Sequence, residues 1–184
     1  MQARWGLIPG WAKNPSIGSR MINARVETVA EKPAFKKAFG KRRALVPADG
    51  YYEWYAGEGT PQKGGQARSG KQPFFITPKD RSVLSMAGLY EFWKDPETDE
   101  WVVSYTILTT SAEDALGHLH DRMPLIVGKD AYAQWLDPTP QPADELLDLL
   151  VPAAPGLLDA FPVSKAVGNF RNNGPELIEP LPLQ

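Results

Sequence analysis

The 184-residue chain contains no cysteine, which excludes disulfide bonds, thiolate metal ligands and a cysteine nucleophile within these residues. Histidine is almost as scarce: His118 and His120 are the only two, so few side chains titrate near neutral pH. No apolar run reaches membrane-spanning length, and the first residues lack the basic-apolar pattern of a secretion signal. We therefore expect a cytoplasmic protein without membrane association.

Neither sign of charge is in large excess, because the formal net charge is −2. A hydrophobic content of 42% and a charged content of 23% are typical of a globular domain, and 184 residues fit a single one. The positive charges are nevertheless clustered. Such a basic cluster either follows a phosphate backbone or is simply a solvated face. Its members are Arg20, Arg25, Lys32, Lys36, Lys37, Lys41, Arg42 and Arg43.

An aromatic strand with one carboxylate follows the turn signal Asp49-Gly50. Strand alternation over residues 51–55 places Glu53 on one face with two tyrosines, and Tyr52 and Trp54 on the other. Burial among aromatic rings would raise the pKa of Glu53 and suit it to proton transfer near neutral pH. The alternative is an edge-strand glutamate with its carboxylate in water.

Residues 22–28 alternate apolar and polar side chains, which predicts a strand with Asn23, Arg25 and Glu27 on one face. These groups would bind a ligand or phosphate, or form an Arg-Glu pair in solvent. Further upstream, the Pro9-Gly10 turn presents Trp11. This indole either packs on the core or stands out as a stacking platform for a base.

The remaining pattern predicts a mostly antiparallel meander with short helices. Pro33 opens a helix that Gly40 ends. A glycine-rich hairpin loop spans residues 56–71, and Ser111 caps a short helix. The predicted strands cover residues 72–77, 82–93, 101–108 and 161–167, and further helices cover residues 130–135 and 143–150.

The available chemistry is acid-base chemistry by Glu53 and the histidines. His118, His120 and Glu53 would make an incomplete metal site, so we expect no metal or other cofactor. No serine lies in a Gly-x-Ser-x-Gly turn. An acid/base or metal-dependent small-molecule hydrolase stays open as an alternative function.

Five stretches, taken together and in this order, resemble the SRAP family of abasic-site processing proteins. The resemblance implies a single α+β domain with a curved, barrel-like, mostly antiparallel sheet and short peripheral helices. It extends over nearly the whole chain, so we expect residues 1–184 to form one SRAP-like domain. The matching stretches are residues 5–11, 22–28, 47–54, 120–124 and 163–169.

The resemblance also implies a function in DNA repair and the SOS response. Family members bind single-stranded DNA that carries an abasic site. A cysteine behind the initiator methionine, exposed by self-cleavage, condenses with the sugar aldehyde into a thiazolidine crosslink. The family therefore combines peptidase, DNA-crosslinking and lyase-like chemistry.

Residue roles follow from the motif positions. Asn23 is expected to hold the reacting centre, Glu53 to shuttle protons, and His120 to protonate the sugar ring oxygen. For DNA binding, the resemblance assigns Arg25 and Arg122 to phosphate contacts. It also implies that Trp11 is a wedge between bases.

The chain departs from the family pattern at its first residues, where Gln2 stands in place of the expected cysteine. We expect an N-terminally truncated member that acts as a monomer on single-stranded DNA. The alternative is a divergent, noncatalytic single-stranded DNA-binding module. Ala12 and Pro33 replace an aromatic residue and an arginine of some members, and both changes would weaken DNA contacts.

Overall fold

The computed structural model describes residues 2–55, 71–112, 121–153 and 156–182. Two compact units make up this part of the chain. The first comprises the described residues of Met1–Pro47, Ser85–Ser111 and Arg122–Ala153. The second comprises those of Ala48–Leu84, Ala112–Asp121 and Ala154–Gln184. Within these ranges, every helix is too short or too polar to cross a bilayer.

The helices and most strands are short, as the many prolines and glycines predict, but two strands have 11 residues each. In chain order the strands are β1 (Arg4–Trp5), β2 (Asn23–Arg25), β3 (Arg43–Ala48), β4 (Tyr51–Tyr55), β5 (Gln72–Pro78), β6 (Leu84–Lys94), β7 (Trp101–Ser111), β8 (Arg122–Pro124), β9 (Ile126–Val127), β10 (Leu150–Val151) and β11 (Leu158–Pro162). The α-helices are α1 (Val26–Val29), α2 (Lys36–Lys41), α3 (Tyr132–Leu136) and α4 (Ala143–Asp148). Short 3₁₀ segments cover Pro15–Arg20, Lys129–Ala131, Lys165–Gly168 and Pro175–Ile178.

The larger sheet is organised around β7. Strands β6 and β8 pair with β7 in antiparallel fashion, whereas β1 and β2 pair with it in parallel. On the far side of β6, β9 and then β10 continue the sheet, and β3 also pairs with β6. The α+β class with a largely antiparallel sheet is confirmed. The described strands leave this sheet open rather than closing it into a barrel.

The smaller sheet has the order β11-β5-β4, and both of its pairings are antiparallel. Tyr55 of β4 pairs with Gln72 of β5, so the predicted hairpin is confirmed at its base. The predicted loop at residues 56–71 lies, apart from Lys71, outside the described residues. The buried residues of this unit include Phe75, Ile76, Leu158, Val163 and Leu177.

The helix predicted after Pro33 is present, but it begins at Lys36 and runs through Gly40 to Lys41. Phe35 and Phe39 are both buried, as expected for apolar residues four apart. The Phe39 ring meets Trp135 of α3 edge to face, with 6.3 Å between ring centroids. This contact packs the two short helices against each other.

Two predicted strand boundaries were wrong. The strand predicted over residues 22–28 ends at Arg25. Val26–Val29 is helical instead, because residues three apart on a helix face the same way and both Val26 and Val29 then point toward the core. The strand predicted over residues 161–167 is Leu158–Pro162. Lys165–Gly168 forms a 3₁₀ turn instead, since the Ser164 hydroxyl accepts a hydrogen bond from the amide of Ala166.

The basic cluster is smaller in the structure than in the sequence. Arg43 is only 4% exposed and donates to the carbonyls of Phe39 (2.8 Å), Trp135 (2.7 Å) and Asp137. Burial lowers its pKa. Arg42 pairs with Glu91 at 2.5 Å, and both side chains are largely buried. The remaining solvent-facing cations of α2 and the preceding turn are Lys32, Lys36, Lys37 and Lys41.

Candidate functional site

Strand β2 presents Asn23 and Arg25 to solvent and buries the residue between them. Ala24 is 1% exposed because it faces the core of the first unit. In register, Asn23 lies beside Ile107 and Arg25 beside Thr109 of β7. The strand alternation therefore predicted the orientation of both polar residues correctly, although Glu27 leaves the strand and sits in α1.

Arg122 reaches Glu27 across the neighbouring strand. Thr109 of β7 has β2 on one side and β8 on the other, with Arg25 and Pro124 as its register partners. Arg122 donates to both Glu27 carboxylate oxygens at 2.9 and 3.0 Å, and also to the carbonyl and hydroxyl of Thr109. The hydrogen bonds from Arg122 lower the pKa of Glu27, and the nearby charge of Arg25 acts in the same direction.

Trp11 stands out from an anchored turn. Its side chain is 60% exposed, so the core-packing alternative was wrong. The turn closes with a 2.8 Å hydrogen bond from the Ala12 amide to the Pro9 carbonyl. The buried Trp93 indole donates to the Ala12 carbonyl at 2.7 Å. These two hydrogen bonds anchor the backbone of the turn that carries the exposed indole.

Trp5 is a second exposed indole that the sequence analysis did not single out as a site residue. It is 51% exposed, and its ring stacks on Tyr105 with 6.5 Å between centroids. The indole nitrogen donates to the carbonyl of Ile22 at 2.8 Å. This bond fixes the entry of β2 one residue before Asn23. The signal was available, since Trp5 begins the first of the five matching stretches.

Glu53 occupies the predicted aromatic surroundings. It is half-buried on β4, opposite Phe74 of β5. The ring of Tyr55 packs edge to face against Phe74 at 6.2 Å between centroids. The prediction of a raised Glu53 pKa stays a prediction.

The opposite face of β4 is aromatic and apolar. The rings of Tyr52 and Trp54 are 6.4 Å apart, as residues two apart on one strand face should be. Tyr52 also contacts the ring of Phe75, and burial raises the pKa of its phenol. The assignment of alternate residues of β4 to two faces is therefore confirmed.

The turn before β4 requires glycine at position 50. A β-carbon on Gly50 would lie 2.3 Å from the Ile76 carbonyl oxygen and 2.5 Å from the Phe75 ring. The adjacent Asp49 carbonyl accepts a 2.7 Å hydrogen bond from the Thr77 hydroxyl. These contacts hold the start of β4 against β5, three residues before Glu53.

The residues with expected roles are distributed over both units. Trp11, Asn23, Arg25 and Arg122 belong to the first unit, and Glu53 belongs to the second. Their assigned roles stay predictions.

His118 and His120 lie outside the described residues, as does the predicted helix after Ser111. In the ranges that the structure describes, no three His, Cys, Asp or Glu side chains are grouped closely enough to hold a metal ion. What the described groups offer chemically is a hydrogen-bonding amide, a solvent-facing guanidinium, an exposed indole and a half-buried carboxylate. Such groups suit phosphate binding, base stacking and proton transfer.

Comparison with known proteins identifies the family. The model of the SOS response associated peptidase (SRAP) family matches residues 1–170. The abasic site processing protein YoqW of Bacillus subtilis is 41% identical over 176 residues, covering 96% of this chain and 74% of YoqW. The abasic site processing protein HMCES of Pongo abelii is 36% identical over 209 residues, covering 98% of this chain and 56% of HMCES.

Two solved structures share the fold of this chain. A crystal structure of a Bacteroides thetaiotaomicron protein matches with a TM-score of 0.81 at 30% identity, covering 96% of this chain and 75% of that one. A Bordetella bronchiseptica protein matches with a TM-score of 0.72, also at 30% identity, covering 88% of this chain and 76% of its own. The chain belongs to the SRAP family.

Proposed function

We propose that this protein binds single-stranded DNA and processes abasic sites in it. The observation that carries the proposal is its similarity, at 41% identity over 96% of the chain, to a relative named as an abasic site processing protein. The five stretches that resemble the family include the residues of the candidate site. DNA repair is therefore the process in which we place the protein.

The first unit supplies groups suited to binding. Trp11 stacks on an unpaired base, because a largely exposed indole on a fixed turn offers a π-face to any base. Arg25 contacts a phosphate, and Asn23 holds the sugar of the damaged nucleotide. An abasic nucleotide has no base to unstack, so moving it toward the protein requires little free energy.

Glu53 and His120 supply the proton transfers. Opening the abasic sugar to its aldehyde requires a proton on the ring oxygen and the loss of one from the anomeric hydroxyl. His120 provides the first and Glu53 accepts the second. Covalent capture further requires a nucleophile, and the 184 residues contain no thiol.

Binding experiments test the proposal. The protein should bind a single-stranded oligonucleotide with one abasic site more tightly than its duplex, with an affinity that falls as salt increases. Arg25→Gln should weaken this binding. Equal affinity for duplex and single strand, independent of salt, would rule the proposal out.

Variants of the proton-transfer residues separate processing from binding. Glu53→Gln should bind abasic DNA normally but slow aldehyde formation, measured by capture of the open sugar with an aldehyde-reactive hydroxylamine. A protein that is extended at its N-terminus by an in-frame upstream Met-Cys-Gly-Arg segment should form a covalent adduct with abasic DNA, and this adduct should survive a denaturing gel. Lack of this adduct would contradict the crosslinking part of the proposal.

A second candidate function is that of a noncatalytic single-stranded DNA-binding module. It is favoured by the lack of cysteine in these 184 residues. It predicts that Glu53→Ala and His120→Ala leave both binding and the state of the abasic site unchanged. Arg25→Ala would still weaken binding. Protein-dependent ring opening would exclude this candidate.

A further inference from the structure

Phe170 is 92% exposed, more than any other large hydrophobic residue in the part of the chain that the structure describes. It lies in the polar loop between the 3₁₀ turns Lys165–Gly168 and Pro175–Ile178. The guanidinium carbon of Arg171 is 5.8 Å from the centroid of its ring. An isolated exposed aromatic residue is common on protein surfaces. Whether Phe170 contacts a partner therefore has to be inferred from the structure and charge of the surrounding loop.

Hydrogen bonds fix the loop that carries Phe170. The Asn169 side-chain oxygen accepts from the Arg171 amide at 3.1 Å. The Asn172 amide donates to the Asn169 carbonyl at 2.9 Å, and the Asn172 side chain donates to the Ala166 carbonyl at 2.8 Å. Phe170 is therefore at the tip of a closed turn that keeps its ring out of the protein interior.

This loop begins at the same end of the smaller sheet as the site strand. The Val163 amide donates to the Pro73 carbonyl at 3.0 Å, and the Gln72 side chain donates to the Val163 carbonyl at 2.8 Å. In register, Pro73 faces Trp54 on β4, next to Glu53. Trp54 is itself 39% exposed. Val163, from which the chain continues into the Phe170 loop, and Trp54, the neighbour of Glu53 on β4, thus both meet Pro73 at one end of the smaller sheet.

The charge of the loop indicates which kind of partner Phe170 would contact. Between Asp159 and Glu176 the chain contains Lys165 and Arg171 and no acidic residue, although the net charge of the chain is −2. An aromatic face beside a cation, with asparagine amides around it, matches an unpaired base and its phosphate. Acidic or purely apolar surroundings would instead have favoured a basic or apolar protein surface.

We propose that Phe170 and Arg171 form a second contact for single-stranded DNA, in which Phe170 stacks on a base flanking the abasic nucleotide and Arg171 contacts its phosphate. The inference rests on the proposed function, because the strand that it contacts is the one held at Glu53. It adds a base-dependent contact, whereas the abasic nucleotide itself offers no base.

Stacking can be tested directly by fluorescence anisotropy with abasic single-stranded oligonucleotides. Phe170→Ala should weaken binding roughly ten-fold, Phe170→Leu similarly, and Phe170→Trp should retain it, because only the aromatic variant keeps a π-face. Arg171→Gln should reduce the salt dependence, lowering the slope of log K against log salt by about 0.7. Because the side chains of Phe170 and Arg171 are both exposed, these substitutions should leave the melting temperature unchanged.

The base requirement gives the sharper test. On an oligonucleotide whose flanking bases are replaced by baseless sugars, wild type and Phe170→Ala should bind equally. Trp101→Ala is the matched control, because Trp101 is 66% exposed but follows the acidic turn that contains Asp99 and Glu100. This control should bind like wild type on both oligonucleotides.

Each contrary outcome has a distinct meaning. If Phe170→Ala binds base-containing DNA as tightly as wild type, the second contact is overturned and the proposed function stands. If wild type fails to bind single-stranded DNA, both fail. If Phe170→Ala leaves DNA binding unchanged and dissociates an oligomer in sedimentation, the ring contacts a second copy, which also overturns the inference.

Discussion

The Arg122 guanidinium donates to both carboxylate oxygens of Glu27, at 2.9 and 3.0 Å. Because Arg122 also donates to Thr109, this bidentate pair connects the helical turn after β2 to the strands β7 and β8. The pair therefore holds the segment that presents Arg25. It also competes with the phosphate contact expected for Arg122, since the guanidinium is already matched to a carboxylate.

Arg122→Lys should destabilise the protein by about 1–2 kcal/mol. Lysine keeps the charge but cannot reproduce the planar fork that meets Glu27 and Thr109 together. The unfolding free energy from urea titration measures this effect. Arg25→Lys is the control, since the Arg25 side chain is exposed and its replacement should leave stability unchanged. Equal effects of the two substitutions would contradict the positioning role of Arg122.

The Glu27-Arg122 pair should also give stability a defined pH dependence. Hydrogen bonds from Arg122 lower the pKa of Glu27 below its usual 4.5. A lowered folded-state pKa gives stability that is complete above 4.5 and is lost as the pH falls through the folded value. Glu27→Gln should therefore be less stable than wild type at neutral pH, by less than about 1 kcal/mol for this half-exposed pair. The difference should vanish on acidification, as followed by urea unfolding at several pH values.

Arg43 should contribute to stability, whereas the exposed lysines of α2 should not. Arg43→Met should cost about 3 kcal/mol or more, because three carbonyls lose a charged donor and two of these hydrogen bonds are buried. A triple substitution of Lys36, Lys37 and Lys41 by glutamine should leave the melting temperature nearly unchanged, since all three are exposed. A melting scan distinguishes the two. A mild Arg43→Met would show that water replaces the lost donors.

Arg43 also shows where sequence reasoning reached its limit. In the sequence, Arg43 is one member of a basic cluster and looks like its neighbours. Its burial could not be predicted, because the carbonyls of Trp135 and Asp137 join that of Phe39 around it only in the tertiary structure. Local alternation correctly oriented Asn23 and Glu53, because strand faces follow from a period of two. It failed after Arg25, where a short helical turn directs Val26 and Val29 to the core.

The exposure of Trp11 was equally hidden from the local sequence. A tryptophan after a Pro-Gly turn favours core packing on its own. The indole points outward because Ala12 is the buried residue and Trp93 holds its carbonyl. The family resemblance implied a wedge between bases, which requires an exposed Trp11, and that role stays a prediction. His120 lies outside the described residues, so its place in the site rests on the motif alone.

Trp11 and Trp93 should respond in opposite ways to substitution. Trp11→Ala should keep wild-type stability, because the side chain is 60% exposed, and should weaken single-stranded DNA binding roughly ten-fold through lost stacking. Trp93→Phe should lower the unfolding free energy by about 1–3 kcal/mol, since the Ala12 carbonyl loses its indole donor. Urea titration and fluorescence anisotropy measure the two effects. Unchanged DNA binding by Trp11→Ala would refute the stacking role.

Gly50→Ala should disturb the strand that carries Glu53. The added β-carbon would lie 2.3 Å from the Ile76 carbonyl oxygen, so β4 must shift away from β5. We expect a loss of about 1–3 kcal/mol in urea unfolding and slower abasic-site ring opening, because Glu53 moves with its strand. Gly40→Ala is the matched control. A β-carbon at Gly40 would meet nothing within 4 Å. Alanine in place of glycine in a helix should raise the unfolding free energy by about 0.5–1 kcal/mol. A stable, active Gly50→Ala protein would show that the turn tolerates a side chain and does not position Glu53.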